Sequence, residues 1–250
     1  MLNIQQLSLA FKGQTGQVKQ VFKGLDFSLD PGSFTVIIGA NGSGKSTLLN
    51  LIAGSLLPDE GRISINGIDV TRFSEELRSR FISRVFQHPH LGTAGELTVL
   101  ENMRLSTLHG KVKSPFRRMG KMNEEEIKKQ VEGLQMGLEN TLHRSMEQLS
   151  GGQRQALSVL MASLPDVPLL LMDEPAAALD PSAGDAVMEL AAGRIKERGR
   201  TTVLVTHNMK HAVVYGNRLV QLQHGKIIRD ISGEEKKSLR PEMLHAWFER

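Results

Sequence analysis

The chain has 250 residues, enough for one large domain or two small ones, and its 40% hydrophobic and 23% charged residues are ordinary for a globular protein. It has no cysteine, which excludes disulfides and thiolate zinc sites and suits a reducing compartment. The formal net charge of +4 is mild: it suits a protein near an anionic membrane face and ordinary surface variation equally well, and no concentrated basic face signals nucleic acid. Met1 to Gln5 lack a basic segment followed by an apolar one, so no signal peptide is expected. No apolar run reaches the ~18 residues that span a bilayer. The longest candidate, Ala156 to Met172, is interrupted by Pro165, Asp166 and Pro168. A cytosolic chain is expected, with any membrane role exercised through a partner.

Leu7-Leu9-Phe11, Val21-Phe22 and Leu25-Phe27-Leu29 are separated by Gly13, Gly16 and Gly24. That pattern predicts a small antiparallel sheet with turns. Phe34 to Ile38 is a continuous apolar run, as expected of a strand buried on both faces. It leads straight into a glycine-rich loop. Leu48, Leu49, Leu51 and Ile52 then follow helical spacing, with Gly54 placed to end the helix. Gly61 to Gly67 returns to strand character and contains an Asn66-Gly67 turn. From about Ser74 a helical texture continues to residue 149, and the basic stretch His109 to Lys121 reads as a loop or short insertion. After Gln153, the apolar residues Leu157, Leu160, Met161 and Leu164 predict an amphipathic helix. Two more buried-type strands are predicted at Leu169 to Met172 and Thr202 to Val205. These apolar strands end on polar residues, which fits a largely parallel sheet with its ligand at the carboxyl edge. The last residues hold a charged patch, Glu234 to Lys237, and a short amphipathic end around Leu244 and Trp247-Phe248, too little for a regulatory domain.

The chemistry begins at Gly39-Ala40-Asn41-Gly42-Ser43-Gly44-Lys45-Ser46-Thr47, a phosphate-loop pattern between a strand and a helix. Glycines let the backbone wrap closely, so that N–H groups point at phosphate oxygens. Lys45 supplies a point charge to the β- and γ-phosphates, and the Ser46 hydroxyl is placed to ligate Mg²⁺. Asp173-Glu174 ends the run Leu169 to Met172. A charged turn is the plain reading of either acid alone. Beside a phosphate loop, Asp173 becomes the metal-side carboxylate and Glu174 the base that polarises the attacking water. Gln87 follows Val85-Phe86, an apolar strand-like pair, and its amide can reach Mg²⁺ or that water. His207 ends the strand Thr202 to Val205 after Thr206 and is placed to hydrogen-bond the γ-phosphate or the water's surroundings. A metal pair of His207 with His211 lacks further ligands. Phe11 either stacks on adenine or is a core phenylalanine on a strand.

Leu149-Ser150-Gly151-Gly152-Gln153 offers a hydroxyl and unblocked N–H groups at a helix start, a second site for an anion. A chain with one phosphate loop needs no second one for itself. The pentapeptide is therefore expected to serve the nucleotide of a second copy of the chain.

These motifs in this order resemble the nucleotide-binding subunit of an ATP-binding-cassette (ABC) transporter, over nearly the whole chain. The resemblance implies an α/β fold: a RecA-like P-loop core, an antiparallel β subdomain and an inserted helical subdomain at about 88–160, all one nucleotide-binding domain over 1–250. It implies a head-to-tail dimer with two ATP molecules, each between one phosphate loop and the opposing Ser150 to Gln153. It gives Phe11 the adenine-stacking position, Glu174 the base position and His207 the switch position. Asp180, in Ala178-Leu179-Asp180, falls in a loop that crosses the dimer interface. Ala177 stands where many members carry Ser. The implied partners are transmembrane permease subunits at the cytoplasmic face of the membrane. His88 to Arg104 is expected to grip the permease or to be plain subdomain surface. Lys111 to Lys121 reads as a solvated loop rather than a lipid contact.

A narrower resemblance is to a bacterial importer group that works with a substrate-binding protein and for which aromatic amino acids are the proposed cargo. It rests on Arg84 to Gln87, Gly92 to Ala94, Gln153 to Met161, Thr206 to Met209 and Ser232 to Lys237. The group often has His-Thr after the catalytic Glu, where this chain has Pro175-Ala176. The alternatives are an export ATPase subunit or a soluble cassette ATPase acting on ribosomes or DNA. The latter is disfavoured by the single cassette and the lack of a long heptad tract.

Overall fold

A computed structural model of the protein describes residues 1–13, 17–108 and 122–248. The basic stretch expected at His109 to Lys121 and the glycine at position 16 lie outside the described residues. The chain forms two compact units, Met1–Arg78 with Gly199–Arg250, and Ser79–Arg198. It starts in the first, crosses into the second and returns.

The first unit opens with β1 (Leu2–Lys12) and β2 (Val18–Leu29), a long antiparallel pair. Leu2, Ile4, Leu7, Phe22, Phe27 and Leu29 alternate inward along it and are buried. Gly24 does not separate two strands as its residue type suggests. It lies within β2, where its φ of 66° and the φ of 49° at Gln6 accommodate breaks in the register. β3 (Phe34–Ile38) follows and leads through the glycine-rich loop into α1 (Lys45–Ala53), which Gly54 ends at φ 87°. β4 (Glu60–Ile65) pairs with β1, and the Asn66-Gly67 turn, with φ of 50° and 79°, returns the chain as β5 (Ile68–Asp69). The four strands form one antiparallel sheet in the order β2-β1-β4-β5. The short α2 (Glu75–Arg78) completes this part.

In the second unit, β6 (Ile82–Val85) breaks the helical texture expected from Ser74 onward. Then come α3 (Val99–Ser106), α4 (Glu124–Glu132), α5 (Gly151–Ser163), β7 (Leu169–Asp173) and α6 (Pro181–Glu197). α3, α4 and α5 each begin with a capping box, made by Thr98 with Glu101, Asn123 with Glu126, and Ser150 with Gln153. α5 is not amphipathic as its leucines suggest: every residue from Gln155 to Ser163 is buried. α6 turns Gly184, Val187, Met188, Ala191 and Ile195 inward at helical spacing.

Back in the first unit are β8 (Thr201–Val205), α7 (Met209–Val214), β9 (Arg218–Gln223), β10 (Lys226–Ser232), α8 (Gly233–Lys237) and α9 (Pro241–His245). β8 and β9 run parallel to β3 on its two sides, and β10 closes back on β9 as a hairpin. The amphipathic end docks on this unit: Leu244 is fully buried, and the Trp247 ring lies 4.5 Å from the Arg229 guanidinium. Among the described residues no helix is long and apolar enough to cross a membrane.

Arg78 is fully buried and closes the far end of α1. Its guanidinium donates to Leu51 O at 2.6 Å and Ile52 O at 2.8 Å, and also to Thr71 O and Phe73 O. Burial pushes its pKa down to about 10, so it keeps its charge at neutral pH. A cation there also meets the negative end of the helix dipole. Replacing Arg78 with Met should leave these carbonyls without donors and cost ~3 kcal/mol. The expected readout is a thermal unfolding midpoint lowered by roughly 8 °C.

Candidate functional site

The first unit carries the phosphate loop, His207 and Phe11. β3 delivers the loop and α1 receives it. Gly44 is the N-cap and offers no side chain to the first-turn N–H groups, and no acid stands in that turn. The helix start keeps its positive character for an anionic ligand. Lys45 is buried, and its Nζ donates to Gly39 O at 2.8 Å and Ala40 O at 3.0 Å. Ser43 is buried with its hydroxyl lacking a hydrogen-bond partner, whereas Asn41, Gly42 and Ser46 are exposed and Thr47 is half-buried.

Two strands clamp this loop. A Cβ at Gly39 would lie 2.3 Å from Leu222 O in β9, and one at Gly44 would lie 2.9 Å from the Phe22 ring in β2. The tip of the β9–β10 hairpin, His224-Gly225, has φ of 48° and 72°. Gly225 N–H donates to Ser43 O at 3.1 Å, and a Cβ at this position would lie 1.8 Å from Val21 O. The hairpin thus touches the phosphate loop by backbone alone. Sequence reasoning missed it; the signal was a glycine between two alternating stretches, Arg218 to Gln223 and Lys226 to Ser232.

β8 brings His207 to the same edge as the loop. Val205 lies opposite Ile37, and Thr206 N–H donates to Ile37 O at 3.4 Å, two residues before Gly39. His207 is exposed there. His211 is instead buried, edge-on to Tyr215, in the core of this unit. Phe11 is 42% exposed on the β1–β2 pair, opposite Lys19, which removes the core reading.

The second unit carries Gln87, Ser150 to Gln153, Asp173, Glu174 and Asp180. β6 and β7 run parallel with Val85 opposite Met172. Gln87 and Asp173-Glu174 therefore leave the same sheet edge in step. Gln87 is exposed, Asp173 is buried and Glu174 is half-buried. Glu174 has a φ of 49°, rare for a residue with a side chain, and Pro175 follows it. Such a conformation costs about 1 kcal/mol or more and is kept where the surroundings over-determine it.

α5 starts at the pentapeptide. Ser150 Oγ accepts from Gln153 N–H and Gln153 Oε1 from Ser150 N–H, both at 3.2 Å. Gly151 is exposed, and a Cβ at it meets nothing within 4 Å. A Cβ at Gly152 would lie 3.3 Å from Leu179, so this glycine admits the Ala178-Leu179-Asp180 loop. Arg154 steadies the preceding turn by donating to Met146 O and Glu147 O. Asp180 caps α6: its carboxylate accepts from Ala183 N–H at 3.1 Å and Ser182 Oγ at 2.8 Å. Those bonds, the Ala183 backbone first, hold its pKa below the usual carboxylate range. α6 itself was not foreseen, although Asp180-Pro181 is a cap followed by a first-turn proline. In the segment after Gln87, buried Asn102 holds residues 94–98: its amide donates to Ala94 O, Leu97 O and Thr98 O, and its carbonyl accepts from Ala94 N–H.

A phosphate loop on a parallel sheet, with a capped glycine pair on a separate helix start, defines a nucleotide-binding cassette. The ABC transporter family profile matches residues 22–177. The tyrosine transport ATP-binding protein of Clostridioides difficile is 39% identical over 100% of this chain and 99% of its own length. The thiamine import ATP-binding protein ThiQ of Brucella abortus is 38% identical over 81% of this chain and 79% of its own. Among solved structures, the dimeric ATP-binding cassette MJ0796 in a post-hydrolysis state, bound to ADP and Pi, superposes with a TM-score of 0.78 at 29% identity, covering 93% of this chain and 98% of that one. The chain belongs to the ABC transporter ATP-binding family; it binds ATP and is an ATPase.

Gly225→Ala tests the backbone clamp. The added carbon should displace the hairpin tip and the Ser43 carbonyl it holds, and weaken ATP binding by about tenfold, the worth of one such hydrogen bond. Titration with a fluorescent ATP analogue reads this directly.

Proposed function

We propose that this protein is the ATP-hydrolysing subunit of a bacterial importer for a small solute such as an amino acid. The observation that carries the reading is the pair Gly151-Gly152 at a capped helix start, remote in sequence from the chain's own phosphate loop. That arrangement is of use to the nucleotide of a second copy, so the working form is a head-to-tail pair with two ATP molecules. The pair docks beneath transmembrane permease subunits at the cytoplasmic face of the membrane. A substrate-binding protein outside delivers the cargo, and nucleic acid plays no part. Similarity to a protein named for thiamine import supports import, and full-length similarity to one named for tyrosine transport supports an amino-acid cargo.

The residues divide the work as follows. Gly39, Asn41, Gly42, Ser43, Gly44, Ser46 and Thr47 wrap the phosphates with backbone N–H groups, and Lys45 neutralises charge on the β- and γ-phosphates. Phe11 offers an exposed ring to adenine. Ser150, Gly151, Gly152 and Gln153 bind the γ-phosphate held by the partner copy, and Asp180 lies at the shared interface. Ser46, Gln87 and Asp173 supply hydroxyl, amide and carboxylate oxygens, hard donors that suit Mg²⁺, which when bound offsets phosphate charge. Glu174 polarises the attacking water, and His207 hydrogen-bonds the γ-phosphate. ATP closes the pair and hydrolysis reopens it, rocking the permease between access states.

Two experiments test this. Glu174→Gln keeps the shape and removes the base; hydrolysis should fall ~10²-fold or more, and an ATP-bound dimer should accumulate on size exclusion. Wild-type turnover in that variant would remove Glu174 from the mechanism. In vesicles carrying this subunit with its permease and binding protein, labelled aromatic amino acids should enter only with ATP, and not with Lys45→Ala. Intact ATPase activity without uptake of any amino acid would exclude that cargo class.

A further inference from the structure

Gln155 is fully buried on α5, five residues after Ser150, the cap of that helix. Its Nε2 donates to Pro175 O at 3.0 Å and to Phe86 O at 3.4 Å, while its Oε1 is buried without a hydrogen-bond partner. An unpaired acceptor inside a packed helix is destabilising, and an apolar side chain of the same length would avoid it. The two bonds donated by the same amide offset that cost, so its net contribution to stability is small. What it does is span two carbonyls with one NH₂ group: Pro175 immediately follows Glu174, and Phe86 immediately precedes Gln87.

We propose that Gln155 is a positioning residue for ATP hydrolysis, joining the helix of the glycine motif to the turn that aims Glu174 and to the strand end that carries Gln87. The two N–H bonds of a carboxamide diverge at a fixed angle, so the group sets the separation of the two carbonyls and ties both to α5. A shift of α5 as its first turn engages a partner's nucleotide is passed to both segments together. Misplacement of a reacting group by about an ångström can cost ~10²-fold in rate. The inference rests on the roles given above to Glu174 and Gln87.

The test is steady-state hydrolysis by the full-length chain with Gln155→Met, which keeps the length and removes both donors; Gln155→Leu makes the same test if methionine does not pack. The expected result is a folded chain with an unfolding midpoint lowered by no more than a few degrees, because the lost donors and the lost unpaired acceptor largely offset, with KM for ATP within twofold and kcat lower by at least tenfold. A merely structural role would lower the midpoint and leave kcat. In the Glu174→Gln background the same substitution should lower residual turnover by clearly less than tenfold, because the part of its effect that passes through Glu174 is already lost. A folded Gln155→Met with kcat within twofold of wild type, or a full tenfold loss in both backgrounds, overturns the positioning role. Wild-type turnover in Glu174→Gln alone would instead bring down the underlying reading, and this inference with it.

Discussion

Backbone touching backbone is the constraint on which the phosphate loop depends. At Gly39 and Gly225 a single added carbon would fall within 2.3 Å of a carbonyl oxygen, from Leu222 and Val21 respectively. No rotamer relieves such a clash, because Cβ has no rotamer. β2, the loop and the β9–β10 hairpin can stack this closely only with glycine at both places. The same closeness lets Gly225 N–H reach Ser43 O and fix the loop's midpoint. A loop fixed in this way presents its N–H groups without first being ordered by the ligand, which spares the entropy of arranging them at binding.

α1 extends that logic along its axis. Buried cations hold carbonyls at both ends: Lys45 those of Gly39 and Ala40, and Arg78 those of Leu51 and Ile52. The two are not equivalent. Arg78 meets the negative end of the helix dipole, where a cation is favoured; Lys45 meets the positive end, where it is disfavoured by a similar ~0.3–1 kcal/mol. The carbonyls offset part of that repulsion. An anion would offset more, since it answers both the ammonium and the dipole. The helix start is thus biased toward polyanionic ligands even before any specific contact is counted.

How legible these features are in the sequence depends on whether the residue type has more than one use. Apolar runs and the Asn66-Gly67 turn have essentially one reading, and β3, β4, α1, β7 and β8 follow from them. The phosphate loop and Ser150 to Gln153 are equally plain, because those residue types at that spacing suit little else; Asp173-Glu174 would pass for a charged turn and gains its reading only from the loop. Gly24 misleads because positive φ serves a bulge as well as a turn. β6 is only partly visible: Val85-Phe86 looks strand-like, but Ser83 and Arg84 look like solvent-facing residues. Ser83 is buried with its hydroxyl on Ala162 O at 2.8 Å, and the Arg84 guanidinium lies 4.6 Å from the Phe86 ring. α5 looks one-sided because Ser158 and Ser163 suggest a polar face, yet both side chains are small enough to be enclosed. Gln155 is invisible for a related reason: nothing in a glutamine's identity tells an exposed residue from one that bridges two carbonyls.

The placement of Glu174 shows why a reactive carboxylate needs more than a strand end. Its left-handed φ is unfavourable for a side-chain-bearing residue, and a following proline narrows the backbone further. Left alone, the turn would relax toward an extended conformation and swing the carboxylate away. Three features oppose this. β7 is paired with β6 up to Met172, which fixes the entry to the turn. Ala177 N–H donates to Glu174 O, which closes it. Gln155 Nε2 donates to Pro175 O. The strain is therefore spread over three separate contacts, on a strand, within the turn and on a helix. Loosening any one of them shifts the balance toward the relaxed turn without unfolding the unit, so the position of this carboxylate can be altered while the fold around it stays intact.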